Sequence, residues 1–138
     1  MCWPVWIRRW RPGARSVSNS PCTKSASGSY SAISGRPSPA VAARLHALGV
    51  EYIYLDSHDK QMDFEALLAE LELTPERAAV MGDDLPDLGL MRRAGLAMAV
   101  ADAVPDVREA AHWISDCKGG EGAVREACEL IIAARNAH

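Results

Sequence analysis

Residues 78 to 91 read AAVMGDDLPDLGLM, which sets three carboxylates, Asp83, Asp84 and Asp87, just after a short apolar run. Carboxylates crowded this closely repel one another unless a proton or a cation relieves them. A hard cation suits the purpose, because magnesium takes oxygen ligands from one or two carboxylates and completes its shell with water and phosphate oxygens. The competing account is helix capping, since an Asp at a helix start accepts backbone N–H bonds and faces the positive end of the macrodipole. Capping accounts well for one Asp and less well for three.

Three other stretches carry residue types that could join such chemistry. In ISGRP, Ser34 closes a strand, Gly35 lets the chain turn and Arg36 follows. A hydroxyl, free backbone N–H groups and a guanidinium together suit a phosphate, although Ser-Gly is also ordinary turn chemistry. In DSHDKQMDF, Lys60 stands where a helix begins and opposes the macrodipole, which weakens a purely structural explanation. A solvated surface lysine remains the plain alternative. In GGEGAVRE, Gly119, Gly120 and Gly122 form a loop before the last helix. No Gly-Lys-Ser/Thr follows, so this is no P-loop, and a helix-entry loop explains it.

The elements that must position these residues alternate. SAIS reads as the end of a strand, and Pro37 and Pro39 open a helix with Val41, Leu45 and Leu48 on one face, stopped by Gly49. YIYL is a short buried strand, Phe64, Leu67, Leu68 and Leu71 mark a helix, and AAVM is the next strand. A helix from about Asp84 to Ala94 ends at Gly95; LAMAV is a strand, Pro105 to Ala111 a helix, HWIS a strand and Val124 to Ala134 a closing helix. Strands alternating with helices of this length predict an α/β fold with a three-layer, Rossmann-like parallel sheet covered on both faces. Ligands of such sheets gather at the carboxyl ends of the strands, where Ser34, Lys60 and the aspartates fall.

At 138 residues the chain suits one domain. A formal net charge of −3 and a pI near 5.8 disfavour nucleic acid and membrane surfaces as partners. No run approaches the roughly 18 apolar residues of a membrane span. Cys2, Cys22, Cys117 and Cys128 contain no C-x-x-C pair and fit a reduced, cytoplasmic setting, with Cys117 and Cys128 as packing residues rather than nucleophiles.

Residues 1 to 31 differ from 32 to 138. The first acidic residue is Glu51, whereas Arg8, Arg9, Arg11 and Arg15 crowd the start, and no period of 2 or 3.6 is sustained there. Neither strand nor amphipathic helix is expected, and the segment reads as poorly ordered. A secretory signal fits badly because the short apolar start precedes the arginines; an organelle transit peptide fits better but is broken by Pro4, Pro12 and Pro21. The favoured expectation is a shifted frame or wrong start joined to a real domain.

Taken in order, the Ser after a strand, the Lys before a helix and the acidic G-D-D-x-x-D resemble the later motifs of haloacid-dehalogenase-like phosphatases. ISGRPSPAVAARLHALGV, then DK with its helix, then VMGDDLPDLGLMRRAGLAMAVADAVPDVREAAHWI and GGEGAVREACELI narrow the resemblance to the small capless branch that hydrolyses 3-deoxy-D-manno-octulosonate 8-phosphate. The likeness covers residues 32 to 135, with Glu121 standing where a basic residue is common. It implies a cytoplasmic, magnesium-dependent hydrolase of lipopolysaccharide precursor synthesis, assembled as a homotetramer and acting on a small phosphorylated sugar acid. It further implies that Ser34 hydrogen-bonds the transferring phosphoryl group and that Lys60 neutralises it. Asp83 would be a metal ligand, with Asp84 and Asp87 in the surrounding acidic shell; Gly35, Arg36 and Arg44 would help to bind substrate.

The resemblance also implies an N-terminal D-x-D-G supplying nucleophile and acid/base, yet there is no Asp before Asp56. The family's first strand and the hairpin after it are expected to be missing, leaving an open sheet edge and an inactive chain. Two other functions stay open: a non-catalytic phosphate-binding or regulatory protein, and a phosphatase for another nine-carbon sugar acid phosphate.

Overall fold

Short runs rich in Ala, Val, Ile and Met, each closed by a turn, become the strands, and the amphipathic stretches between them become the crossovers. The computed structural model describes residues 5–9 and 30–136. In chain order they are β1 (Val5–Arg9), β2 (Tyr30–Ile33), α1 (Pro39–Ala47), β3 (Tyr52–Tyr54), α2 (Lys60–Glu70), β4 (Ala78–Gly82), α3 (Leu88–Arg93), β5 (Leu96–Ala99), α4 (Pro105–Ala110), β6 (Trp113–Ile114) and α5 (Ala123–Asn136). One six-stranded sheet has the order β3-β2-β1-β4-β5-β6. β2 pairs parallel with β3, and β4 with β5 and β5 with β6 likewise, so the parallel α/β class holds.

Helices cover both faces. Along β2, Ala32 packs with Leu45 and Val50 under α1, whereas its neighbour Ile33 joins Phe64, Leu67, Val80, Leu90, Met91 and Val107 in the main core. Successive strand side chains point to opposite faces, so one strand serves two layers. Of the apolar face expected on α1, Leu45 alone is buried, in a small cluster with Ala32 and Val50; Val41 and Leu48 are about two-fifths exposed. The helix expected from about Asp84 to Ala94 begins as a 3-10 turn over Leu85–Asp87 and becomes α-helical only at Leu88.

β1 corrects the expectation for residues 1 to 31. Val5–Arg9 is a strand, lying between β2 and β4 and antiparallel to both, with Val5 opposite Ile33 and Trp6 opposite Met81. The open edge expected beside the sheet centre is therefore covered. Flanking strands with unpaired N–H and C=O groups accept a short run rich in β-branched and aromatic residues without requiring alternation, and Val-Trp-Ile is such a run. Its reversed direction distinguishes it from the parallel first strand that the resemblance implies. The rest of the stretch expected to be poorly ordered, residues 1–4 and 10–29, lies outside the described residues.

Candidate active site

Lys60 is the first residue of α2 and only 8% exposed, so it is no solvated surface lysine. Its Nζ donates to Asp87 Oδ1 at 2.7 Å, and Asp87 is wholly buried. The other Asp87 oxygen accepts the backbone N–H groups of Asp83 at 3.0 Å and Asp84 at 3.2 Å. Asp84 in turn caps the following turn, its Oδ1 accepting from the Leu85 N–H at 2.7 Å. Capping thus employs Asp84 and Asp87 but leaves Asp83, whose buried Oδ1 has no hydrogen-bond partner among the described residues.

Gly82 makes this arrangement possible. A Cβ there would lie 2.6 Å from Asp87 Cβ and 2.9 Å from its Oδ2, so any side chain would push the carboxylate off Lys60. Gly82 thus ends β4 and also makes room for Asp87.

Burial raises the Asp83 carboxyl to about 6, helped by the neighbouring Asp87 and Asp84 charges and opposed by Lys60. A carboxyl raised on folding contributes stability that is complete below pH 4 and is lost as pH rises through about 6. Asp83→Asn should therefore stabilise the metal-free chain at pH 7 by about 1–2 kcal/mol, once solvent screening of this partly buried group is allowed for. Below pH 4 the gain should vanish. Urea unfolding of both proteins in a chelator, at pH 4 and pH 7, checks this; equal differences at the two pH values would contradict it.

Ser34 lies just beyond β2 and is 3% exposed. Its Oγ accepts the Arg36 N–H at 3.3 Å, its N–H donates to the Tyr54 carbonyl at 2.8 Å, and its carbonyl accepts the Ser57 N–H at 2.9 Å. Gly35 and Arg36 are exposed at the turn, and Arg44 is exposed on α1; neither arginine bonds to the Lys60–Asp87 cluster. The GGEG stretch is a loop before α5, with Gly120 and Gly122 at φ of 79° and 97° and Glu121 exposed. Cys117 and Cys128 are half-buried and lie outside the Lys60–Asp87 cluster. The Glu126 carboxylate beside Cys117 holds its thiol above the usual range, which disfavours a nucleophilic role.

The donor set fits a magnesium ion in one particular way. Among the described residues no group of three or more His, Cys, Asp or Glu converges as a cage. Asp83 nevertheless offers an unpartnered buried oxygen beside Asp84, which matches a cation held by one or two carboxylates and completed by water and phosphate. Asp87 is already committed to Lys60 and two backbone N–H groups.

Sequence reasoning missed Ser57 and Asp56. Asp56 sits at φ 58°, and the loop it starts reaches Ser34 through Ser57. The polar run Asp-Ser-His-Asp between a strand and a helix was the available signal, since such residues favour turns and tolerate left-handed backbone.

The sheet, with these polar groups at its strand ends, has the architecture of an α/β hydrolase. Residues 35–127 match the haloacid dehalogenase-like hydrolase family, and the chain belongs to it. It is 42% identical over 104 residues to the 3-deoxy-D-manno-octulosonate 8-phosphate phosphatase KdsC of Yersinia pestis, covering 75% of this chain and 56% of that protein. A crystal structure of the Yersinia pestis phosphatase superposes with a TM-score of 0.73, over 75% of this chain and 56% of that one. The phosphatase of Moraxella catarrhalis, in complex with a magnesium ion, a phosphate ion and a KDO molecule, gives 0.75 at 38% identity, over 77% of this chain and 61% of that one. The chain spans little more than half the length of the curated relatives it matches.

Proposed function

We propose that this chain carries the phosphoryl-binding part of a magnesium-dependent sugar-acid phosphatase site, of the kind that hydrolyses 3-deoxy-D-manno-octulosonate 8-phosphate. The supporting observation is the buried Lys60–Asp87 pair set beside the unpartnered Asp83 oxygen. Lys60 spends one of its three N–H donors on Asp87 and keeps two for phosphoryl oxygens. Ser34 adds a hydroxyl, and Gly35, Arg36 and Arg44 lie on the turn and helix that follow it, where an acidic substrate needs cations. Asp83 and Asp84 would hold the magnesium ion, which supplies charge neutralisation at the phosphoryl oxygens when bound. Asp87 holds the Lys60 ammonium in place.

Hydrolysis through a covalent intermediate requires a carboxylate to attack phosphorus and an acid to protonate the leaving oxygen. With no aspartate ahead of Asp56, the chain has no counterpart of that pair. We therefore assign it binding without turnover. The non-catalytic reading gains from β1, which completes the sheet without bringing an Asp or Glu to its centre.

The site is tested by calorimetric titration of the full chain with inorganic phosphate in magnesium. Binding that weakens at least tenfold in Lys60→Ala, or on magnesium removal, is the expected result. Binding indifferent to both would overturn the assignment. Among the described residues no helix is long and apolar enough to cross a membrane, and the partner we assign is a small phosphorylated sugar acid in the cytoplasm.

A further inference from the structure

Ser34 and Lys60 come from different elements, β2 and α2, and a phosphoryl group can use both only if their spacing is fixed. The structure contains a link that fixes it. Ser57 donates its backbone N–H to the Ser34 carbonyl at 2.9 Å and its hydroxyl to Asp63 Oδ2 at 2.5 Å. Asp63 lies in the first turn of α2, three residues beyond Lys60, and its own N–H donates to the Asp59 carbonyl at 3.2 Å. Asp59 caps that helix, its Oδ1 accepting from the Gln61 and Met62 N–H groups at 3.1 Å each. One serine therefore grips the Ser34 turn with its backbone and the Lys60 helix with its side chain.

Other features of the loop agree. Asp56 is held at φ 58°, a left-handed conformation that persists in a non-glycine residue where neighbouring contacts over-determine it. A side chain at Gly35 would meet the Ser57 carbonyl at 3.6 Å, so the two turns lie in van der Waals range. Asp63 is half-buried, and burial raises the Tyr54 hydroxyl on β3, with the Glu70 and then the Asp63 charge adding to it.

We propose that Ser57 and Asp63 act as a positioning pair, holding the loop of residues 55–59 so that the Ser34 hydroxyl and the Lys60 ammonium address the same phosphoryl group. Neither touches the ligand in this assignment. The proposal rests on the phosphate-site reading above and adds the residues that set its geometry.

The test is phosphate titration of the full chain in magnesium, by calorimetry, with an unfolding midpoint for each variant. Ser57→Ala deletes a single oxygen, and Asp63→Ala places a good helix former in α2, so both should keep the fold. Each should weaken phosphate binding about tenfold, and the double variant little further, because both remove the same link. Asp63→Asn keeps an oxygen that accepts the Ser57 hydroxyl and should bind within about twofold of the unsubstituted chain. That rescue distinguishes positioning from loss of a negative charge. Phosphate affinity unchanged in Asp63→Ala, or lost equally in Asp63→Asn and Asp63→Ala, overturns the positioning pair alone. A drop in midpoint with unchanged affinity also overturns it. An unsubstituted chain that binds no phosphate overturns the site reading and the positioning pair together.

Discussion

Asp87→Ala is expected to destabilise the chain by about 3–5 kcal/mol, because it leaves a buried lysine charge without its partner. Asp87 is completely buried and Lys60 nearly so, which removes the water that would otherwise compensate. The backbone N–H groups of Asp83 and Asp84 lose their acceptor in the same step. Asp87→Ala combined with Lys60→Met should be markedly less damaging than Asp87→Ala alone, since removing both partners leaves no orphaned charge. Urea unfolding of the two variants decides it. A double variant as unstable as the single one would mean that Asp87 matters through the backbone N–H groups it accepts and not through Lys60.

The second large effect is expected at Gly95, outside the site. A Cβ there would stand 1.9 Å from the Glu76 carbonyl oxygen and 2.7 Å from its carbon. The Gly95 N–H is held against the Pro75 and Ala78 carbonyls at 3.2 and 3.1 Å, so backbone presses on backbone and no rotamer change relieves the clash. Gly95→Ala should cost about 3 kcal/mol, at the upper end for overpacking. The strain falls between the starts of β4 and β5, and β4 carries Gly82 and the aspartates at its far end. Gly89→Ala offers the comparison: its Cβ would meet the end of the Gln61 side chain at 3.1 Å, which can move aside. Similar destabilisation by both substitutions would show that the Gly95 contact is not special.

The parallel strands and their crossovers were legible because periodicity and punctuation agreed. At the end of α1, Gly49 stands at φ 78° and donates its N–H to the His46 carbonyl, while Val50 donates to Leu45. The end of α2 is built identically, with Glu72 at φ 54°, its N–H on Ala69 and the Leu73 N–H on Leu68. Sequence announced the first stop through glycine and hid the second, because a glutamate there is held by the bonds around it. β1 was illegible for a related reason. Val-Trp-Ile suits a strand by residue type, but so short a run without alternation does not select one; the unpaired edges of β2 and β4 do.

Within the site, residue types and spacing brought the candidates to one end of the sheet, and only the resemblance set Asp83 apart from Asp84 and Asp87. Asp87 is the buried partner of Lys60, Asp84 the cap and Asp83 the carboxylate left over. That division depends on the 3-10 turn over Leu85–Asp87, which folds Asp87 back over Gly82. Spacing alone does not specify such a turn. Ser57 escaped notice because its contribution is made half through its backbone.

The most direct measurement mixes the purified 138-residue chain with 3-deoxy-D-manno-octulosonate 8-phosphate and magnesium, and follows ligand binding and phosphate release together. Saturable, magnesium-dependent binding with no release above background is the expected result, reduced at least tenfold in Lys60→Ala. Catalytic release of phosphate, many turnovers per chain and dependent on Lys60, would contradict it and show that the chain attacks phosphorus by a route needing no N-terminal aspartate.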